Sequence, residues 1–379
     1  MPATLVRIIF MLLLFASSAV TGTEPSKEAR AIIAELGLRE SPAPSRQMDG
    51  WDPKRIVVWM PFGIRDGLDD YRTALIQAAG KADLVFSEVS PLAVDAAVLD
   101  GADAVIGHCT QPLLAAADKR LRWVHNYTVG IDLCKGFSPE QASLVTFSNN
   151  QRLSAPAIAE HSIAMLLALT RNLPGYYRAQ LDGRWQRSLR SGVTFGELKG
   201  KTLLVVGLGG IGTEIARRAS GLGMRVIATR NSSWEGPDFV DYVGLSDELL
   251  ELAQQADVVA NALPLTAATT ALFDKAFFDS VKAGAIFLSV GRGKSTVTAD
   301  LIEALESGQL FGAGLDVTDP EPLPSSSPLW SMDNVIITPH TSSEGAESNH
   351  RSRVIAIENL RRYVAGDPLL NVVDVRRGY

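Results

Sequence analysis

One segment constrains this chain more than any other. Lys201-Thr202-Leu203-Leu204-Val205-Val206, an apolar run, passes directly into Gly207-Leu208-Gly209-Gly210-Ile211-Gly212 and then into Thr213 to Ser220. The run reads as a buried strand and the TEIARRAS stretch as a helix. A strand that turns into a helix through G-x-G-x-x-G is built to hold a dinucleotide. Gly207 permits the tight turn, Gly209 lets the backbone approach a pyrophosphate, and Gly212 lets the helix pack closely on the strand. The N–H groups that open the helix, around Gly210 and Ile211, meet the phosphates with a partial positive charge. A glycine-rich turn with no ligand is the plainer reading, and the flanking strand and helix tell against it.

The next strand, Met224-Arg225-Val226-Ile227-Ala228-Thr229, ends in Arg230-Asn231-Ser232-Ser233. An NAD site usually ends this strand in Asp or Glu, which bonds the ribose 2′-hydroxyl; here there is no acid. Arg230 suits a 2′-phosphate, and Asn231 and Ser232 add hydrogen-bonding groups. NADP is therefore favoured, with NAD as the alternative and Arg230 then a solvated surface residue.

Farther on, three chemically distinct groups each follow an apolar run: Arg292 in Gly291-Arg292-Gly293, Glu321 before Pro322, and His340 after Pro339. A guanidinium grips a carboxylate and a carbonyl in a fixed fork. An imidazole moves a proton at neutral pH, and a carboxylate beside it orients the ring and favours its charged form. Hydride transfer to a 2-keto acid needs these three groups. Each also has a bland reading as a turn or strand-end residue; their joint occurrence behind a dinucleotide turn favours the catalytic one. Of the other histidines, His125 reads equally as pocket lining or core packing, His161 as structural, and His108 and His350 belong to no constellation. No His/Cys/Asp cluster has metal-ligand spacing, so no metal is expected.

From about Arg55 to Val373 the chain resembles the D-isomer-specific 2-hydroxyacid dehydrogenases. The resemblance rests on Thr128-Val129-Gly130-Ile131-Asp132, Ile158-Ala159-Glu160-His161, Gly183-Arg184-Trp185 and Glu197-Leu198-Lys199-Gly200-Lys201-Thr202. It continues through the glycine turn, Leu263-Pro264-Leu265-Thr266, Val290-Gly291-Arg292-Gly293, Asp316 to Leu323 and Thr338-Pro339-His340. The Thr-Val-Gly-Ile-Asp loop and the Arg230-Asn231-Ser232 end are similar to those of glyoxylate/hydroxypyruvate reductases. Ser289 stands where the family often has Asn, and Thr318 where it often has an aromatic.

The resemblance implies that Arg292, Glu321 and His340 are catalytic. It implies that Val129 and Gly130 N–H groups, with Arg292 and His340, hold the substrate. It places Leu263, Pro264, Val290, Gly291, Arg292, Asp316 and His340 along the cofactor together with the glycine turn. It also implies a homodimer formed through residues 157–190. A cofactor-sensing protein similar to the corepressors of this fold remains an alternative, as does an enzyme of another substrate class such as phosphite oxidation.

Strands alternating with helices predict an α/β architecture: a flavodoxin-like substrate domain (residues 55–155 and 345–379) and a Rossmann domain (156–344), both doubly wound parallel sheets with a cleft between them. In the first, strands are expected near Arg55–Met60, Leu84–Phe86, Ala104–Ile106 and Arg122–His125. In the second, six are expected near Leu203, Val226, Val258, Ile286, Gly314 and Ile336. A long apolar helix from Ala157 to Arg171 leads into the second domain. Val354 to Val364 forms the last helix, which the resemblance returns to the first domain.

With 46% hydrophobic residues and a net charge of −6, the chain has material for a sizeable core and no basic run of a nucleic-acid footprint. Cys109 and Cys134 sit in apolar context and are expected as buried free thiols. Arg7, the apolar run Ile8 to Ala16, then Ser17-Ser18-Ala19 read as a secretory signal peptide (1–23) cut after Ala19, too short for a confident membrane span. Export is expected, with a cytoplasmic location as the alternative; an exported enzyme would need to hold its cofactor tightly. Residues 24–54 read as an extension: a helical run at Lys27 to Leu36, then linker-like Ser41-Pro42-Ala43-Pro44-Ser45.

Overall fold

The structure, a computed structural model, describes residues 24–60, 67–87, 96–131, 133–134, 138–187 and 195–375; the signal-like segment and Asp132 lie outside them. After the helix Lys27–Leu36 comes β1 (Glu40–Pro44). A first parallel set follows: β2 (Arg55–Trp59), β3 (Asp83–Ser87), β4 (Ala104–Gly107), β5 (Trp123–Asn126) and β6 (Thr146–Asn149). A second set is β7 (Thr202–Val206), β8 (Arg225–Arg230), β9 (Tyr242–Leu245), β10 (Val258–Asn261), β11 (Ala285–Ser289), β12 (Leu310–Leu315) and β13 (Val335–Ile337). β14 (Pro368–Leu370) and β15 (Val372–Val373) come last.

The second sheet runs β9-β8-β7-β10-β11-β12-β13 with every pair parallel. Strand order reverses at β7/β10, the place where a doubly wound sheet opens a crevice at its carboxyl ends. β7 and β11 are buried along their whole length because helices cover both faces. Alternation sorts their side chains: Leu203 and Val205 pack with Ile158, Met165 and Leu166 of the helix Ala155–Thr170, whereas Leu204 and Val206 face Phe277 and Phe287 on the other side.

The first sheet runs β15-β6-β5-β4-β2-β3, parallel except for the edge strand β15. The helix Ala346–Ala365 lays Ala356, Leu360 and Tyr363 against Ile56, Val58 and Trp123, so the chain does return to this half.

Four expectations need correction. The second sheet has seven strands, not six: Tyr242–Leu245 is a short edge strand interrupted by Gly244, too brief and polar to stand out. β6 carries one large apolar residue, Phe147, and was hidden for the same reason. The linker-like Ser41–Ser45 is largely strand β1, paired antiparallel with β14 and ending at fully buried Ser45. Its prolines are tolerated because the ribbon has only two strands, so one side of β1 needs no ladder donor. Finally, Cys109 and Cys134 are not free thiols: they form a disulfide, with Cα atoms 5.1 Å apart. The chain after β5 folds back onto the end of β4, a proximity that 25 residues of separation conceal. Both side chains are buried, as their apolar context implied.

Candidate active site

The dinucleotide turn takes the predicted form. Gly207 has φ +96°, a conformation that side chains disfavour, and a Cβ there would crowd the Ala262 carbonyl and Leu263. Gly209 faces open space, where a Cβ would meet nothing within 4 Å. On Gly212 a Cβ would lie 2.2 Å from the Gly207 carbonyl oxygen, so the helix Gly210–Gly221 can sit on the turn only without one. Among the described residues, the N–H groups of Gly210, Ile211 and Gly212 find no acceptor. Open space beside Gly209 and three unpartnered donors fit a pyrophosphate.

Arg230 turns back toward this loop and donates Nε–H to the Leu208 carbonyl at 3.0 Å. Asn231 and Ser232 are exposed beyond it. Leu263 and Pro264 leave β10 across the crevice, and Val290 and Gly291 leave β11, both buried.

Arg152 escaped the sequence reading. It has φ 71° and lies over Gly210, where an added Cβ would come 2.8 Å from its Cγ. Its Nη1 donates to the Leu36 carbonyl at 3.2 Å. Burial, then Arg39 and Arg230 nearby, hold its guanidinium below the ordinary arginine range. No local signal marks it, because only the fold brings it to the glycine turn.

Arg292, Glu321 and His340 leave the carboxyl ends of three adjacent strands, β11, β12 and β13. His340 Nδ1 lies 2.6 Å from Glu321 Oε1, and both side chains are accessible. This bond fixes the proton on Nδ1 whenever the carboxylate is ionised, leaving Nε2 for chemistry. Arg292 Nη1 donates to the Gly291 carbonyl at 2.7 Å.

His340 has φ 55°, unusual for a residue with a side chain, and its surroundings impose it. Asp316, 2% exposed, is the bracket. Its carbonyl accepts His340 N–H at 2.9 Å. Its carboxylate accepts the N–H groups of Thr341 and Ser342 and the Thr338 hydroxyl, the last at 2.7 Å. The Thr338 hydroxyl, its proton spent on Asp316, lies 2.9 Å from His161 Nε2, which therefore donates. Asp316, expected along the cofactor, thus directs its side chain into the turn that carries His340, and His161 has a structural place behind it.

Val129 and Gly130 lie beyond β5, half-buried, on the first half of the molecule. His125, open to two readings, is a core residue: fully buried, Nδ1 2.9 Å from Ser148 Oγ, and pushed by burial to a pKa of about 3.

Residues 163–342 match the model of the D-isomer specific 2-hydroxyacid dehydrogenase NAD-binding domain. A glyoxylate reductase of Korarchaeum cryptofilum is 31% identical over 72% of this chain and 82% of its own length. The human glyoxylate reductase/hydroxypyruvate reductase is 30% identical over 69% of this chain and 80% of its own. The chain belongs to the D-isomer-specific 2-hydroxyacid dehydrogenase family. Among solved structures, the NADPH-dependent glyoxylate/hydroxypyruvate reductase of Sinorhizobium meliloti, in complex with NADP and sulfate, superposes with TM-score 0.69 at 26% identity, covering 86% of this chain and 100% of that one. A D-isomer specific 2-hydroxyacid dehydrogenase from Xanthobacter autotrophicus Py2, in complex with NADPH and MES, gives TM-score 0.69 at 26% identity over 86% of this chain and 99% of its own.

Proposed function

We propose that this family member reduces a short 2-keto acid of the glyoxylate or hydroxypyruvate type to the D-2-hydroxy acid, reversibly, with NADPH preferred to NADH. The observation that carries the reading is the 2.6 Å Glu321–His340 pair beyond the ends of β12 and β13, with Arg292 beyond the end of β11, the neighbour of β12. The Gly207–Gly212 turn would hold the pyrophosphate of a nicotinamide cofactor, which when bound would supply the hydride. Arg292 bonds the substrate carboxylate and carbonyl oxygen, and so polarises the carbonyl. His340 Nε2 gives its proton to the developing alkoxide, and Glu321 stabilises the imidazolium before transfer. The N–H groups of Val129 and Gly130 hold the carboxylate. An intact acid-base set favours catalysis over a purely cofactor-sensing role.

Support for NADP lies in Arg230 and Arg152, two cations beside the turn with no acid at the end of β8. The test follows nicotinamide absorbance for protein lacking residues 1–23 with glyoxylate, hydroxypyruvate, pyruvate, bulkier 2-keto acids and, in the oxidative direction, phosphite. Turnover of a keto acid with NADPH well ahead of NADH is expected. Cofactor binding without turnover would favour the sensing role, and turnover of phosphite alone the other substrate class.

The disulfide supports an oxidising compartment and, with the N-terminal segment, export. The exposed apolar side chains Leu173, Tyr177, Leu181 and Trp185 support a homodimer through this region. Cell fractionation and sedimentation of wild type and Leu181→Glu check them. Recovery in the cytoplasm would sink the first, and a monomeric wild type the second.

A further inference from the structure

The loop Thr128–Ile131 lies against a buried set of amide side chains. β5 and β6 are parallel neighbours that each end in asparagine, and Asn126 and Asn149 are registered partners. Asn150 follows at once. All three are at least nine-tenths buried: 4%, 3% and 3% exposed. A buried amide must place its two N–H groups somewhere; each of these gives the loop's carbonyls at least one, while Asn126 also meets the Thr128 hydroxyl at 2.7 Å and Asn150 the Ser352 hydroxyl at 2.5 Å.

Asn150 Nδ2 donates to the Tyr127 carbonyl at 2.6 Å. Asn126 Nδ2 donates to those of Thr128 at 3.2 Å and Gly130 at 2.9 Å. Asn149 Nδ2 donates to that of Val129 at 2.6 Å. Four consecutive carbonyls are thus drawn toward the protein. These peptides are trans, so each N–H points opposite the carbonyl of the preceding residue. The N–H groups of Thr128, Val129, Gly130 and Ile131 are therefore turned away from the asparagines. Among the described residues they have no acceptor. Successive N–H groups directed the same way form a concavity for an anion.

We infer that Asn126, Asn149 and Asn150 are positioning residues for the reaction: by holding the carbonyls of residues 127–130 they aim the loop's N–H groups at the substrate carboxylate. This rests on the keto-acid reading above and adds to it the device that sets the carboxylate site. The asparagines touch no substrate. Their effect falls on binding common to the ground and transition states, so it belongs in KM rather than kcat.

Asn149 gives the cleanest test. Its Oδ1 accepts Gln151 N–H at 3.1 Å while its Nδ2 serves Val129 alone. Asn149→Asp keeps the acceptor and loses the donor; Asn149→Leu loses both without adding charge. Each is expected to raise the KM for glyoxylate about tenfold with kcat nearly unchanged, as for loss of a buried donor. NADPH affinity, read by fluorescence, should stay at the wild-type value. An unchanged KM in both variants of an active enzyme overturns the inference, as does a rise confined to the Asp variant, which charge alone would explain.

A second measurement needs no variant. In amide NMR spectra of the wild-type protein saturated with oxidised cofactor, glyoxylate should shift the signals of Val129 and Gly130. Amides that ignore glyoxylate overturn the inference even if the variants fail to fold. A wild type that turns over no keto acid would instead defeat the functional reading, and the same spectra then decide this one.

Discussion

His340 is held in a left-handed backbone conformation, with Nδ1 against Glu321 and its own N–H on the Asp316 carbonyl. Such a conformation persists only where neighbours over-determine it. Glycine would adopt it freely, so the side chain at this position is needed for something other than the turn. Arg292, Glu321 and His340 could be singled out in the sequence because each residue type has few roles beside a dinucleotide turn, and the fold does bring them to the ends of adjacent strands. The residues that orient them could not be. Nothing in the sequence showed that the Asp316 carboxylate accepts from Thr338, Thr341 and Ser342. Asn126 and Asn149 drew no notice because a polar residue at a strand end is ordinary, and only strand registration puts the two together.

Parallel strands turn scattered sequence positions into a site, because all their carboxyl ends share one edge. β11, β12 and β13 are neighbours, so residues far apart in the chain arrive side by side. The same logic joins Gly207 after β7 to Leu263 after β10. Long apolar strands such as β7 and β11 were readable from their runs. β6 and β9 were not, because sheet pairing rather than intrinsic pattern makes them strands.

At this scale the turn after β13 depends on Asp316. Asn at that position would set an amide N–H against the N–H groups of Thr341 or Ser342 and release part of the turn. Asp316→Asn is expected to lower kcat about tenfold to a hundredfold through misplacement of His340. NADPH affinity should be retained. Steady-state kinetics beside fluorescence titration checks this, and an unaltered kcat would show that the turn holds without the carboxylate.

In the whole molecule, the chain builds two sheets of largely parallel strands, one from β2 to β6 with β15 and one from β7 to β13. On the function proposed above, one bears the cofactor turn and the acid-base set and the other the carboxylate loop, so that reaction would draw on both. The two-sheet plan was legible in the alternation of strands and helices. The N-terminal extension was not: Ala29, Ile32 and Leu38 pack with Leu153, Val354 and Leu370, making it part of the core. Its proline-rich composition signals a linker, but packing partners more than a hundred residues away decide its structure. The disulfide, likewise, follows from how the chain after β5 folds onto β4.

In the proposed reaction a glutamate-oriented histidine delivers the proton during carbonyl reduction. Its most direct test is hydroxypyruvate turnover by His340→Ala beside the wild type, with NADPH affinity measured on both. A loss of ~10²–10⁴ in kcat with cofactor binding intact is expected; turnover near the wild-type rate would rule out His340 as the proton donor.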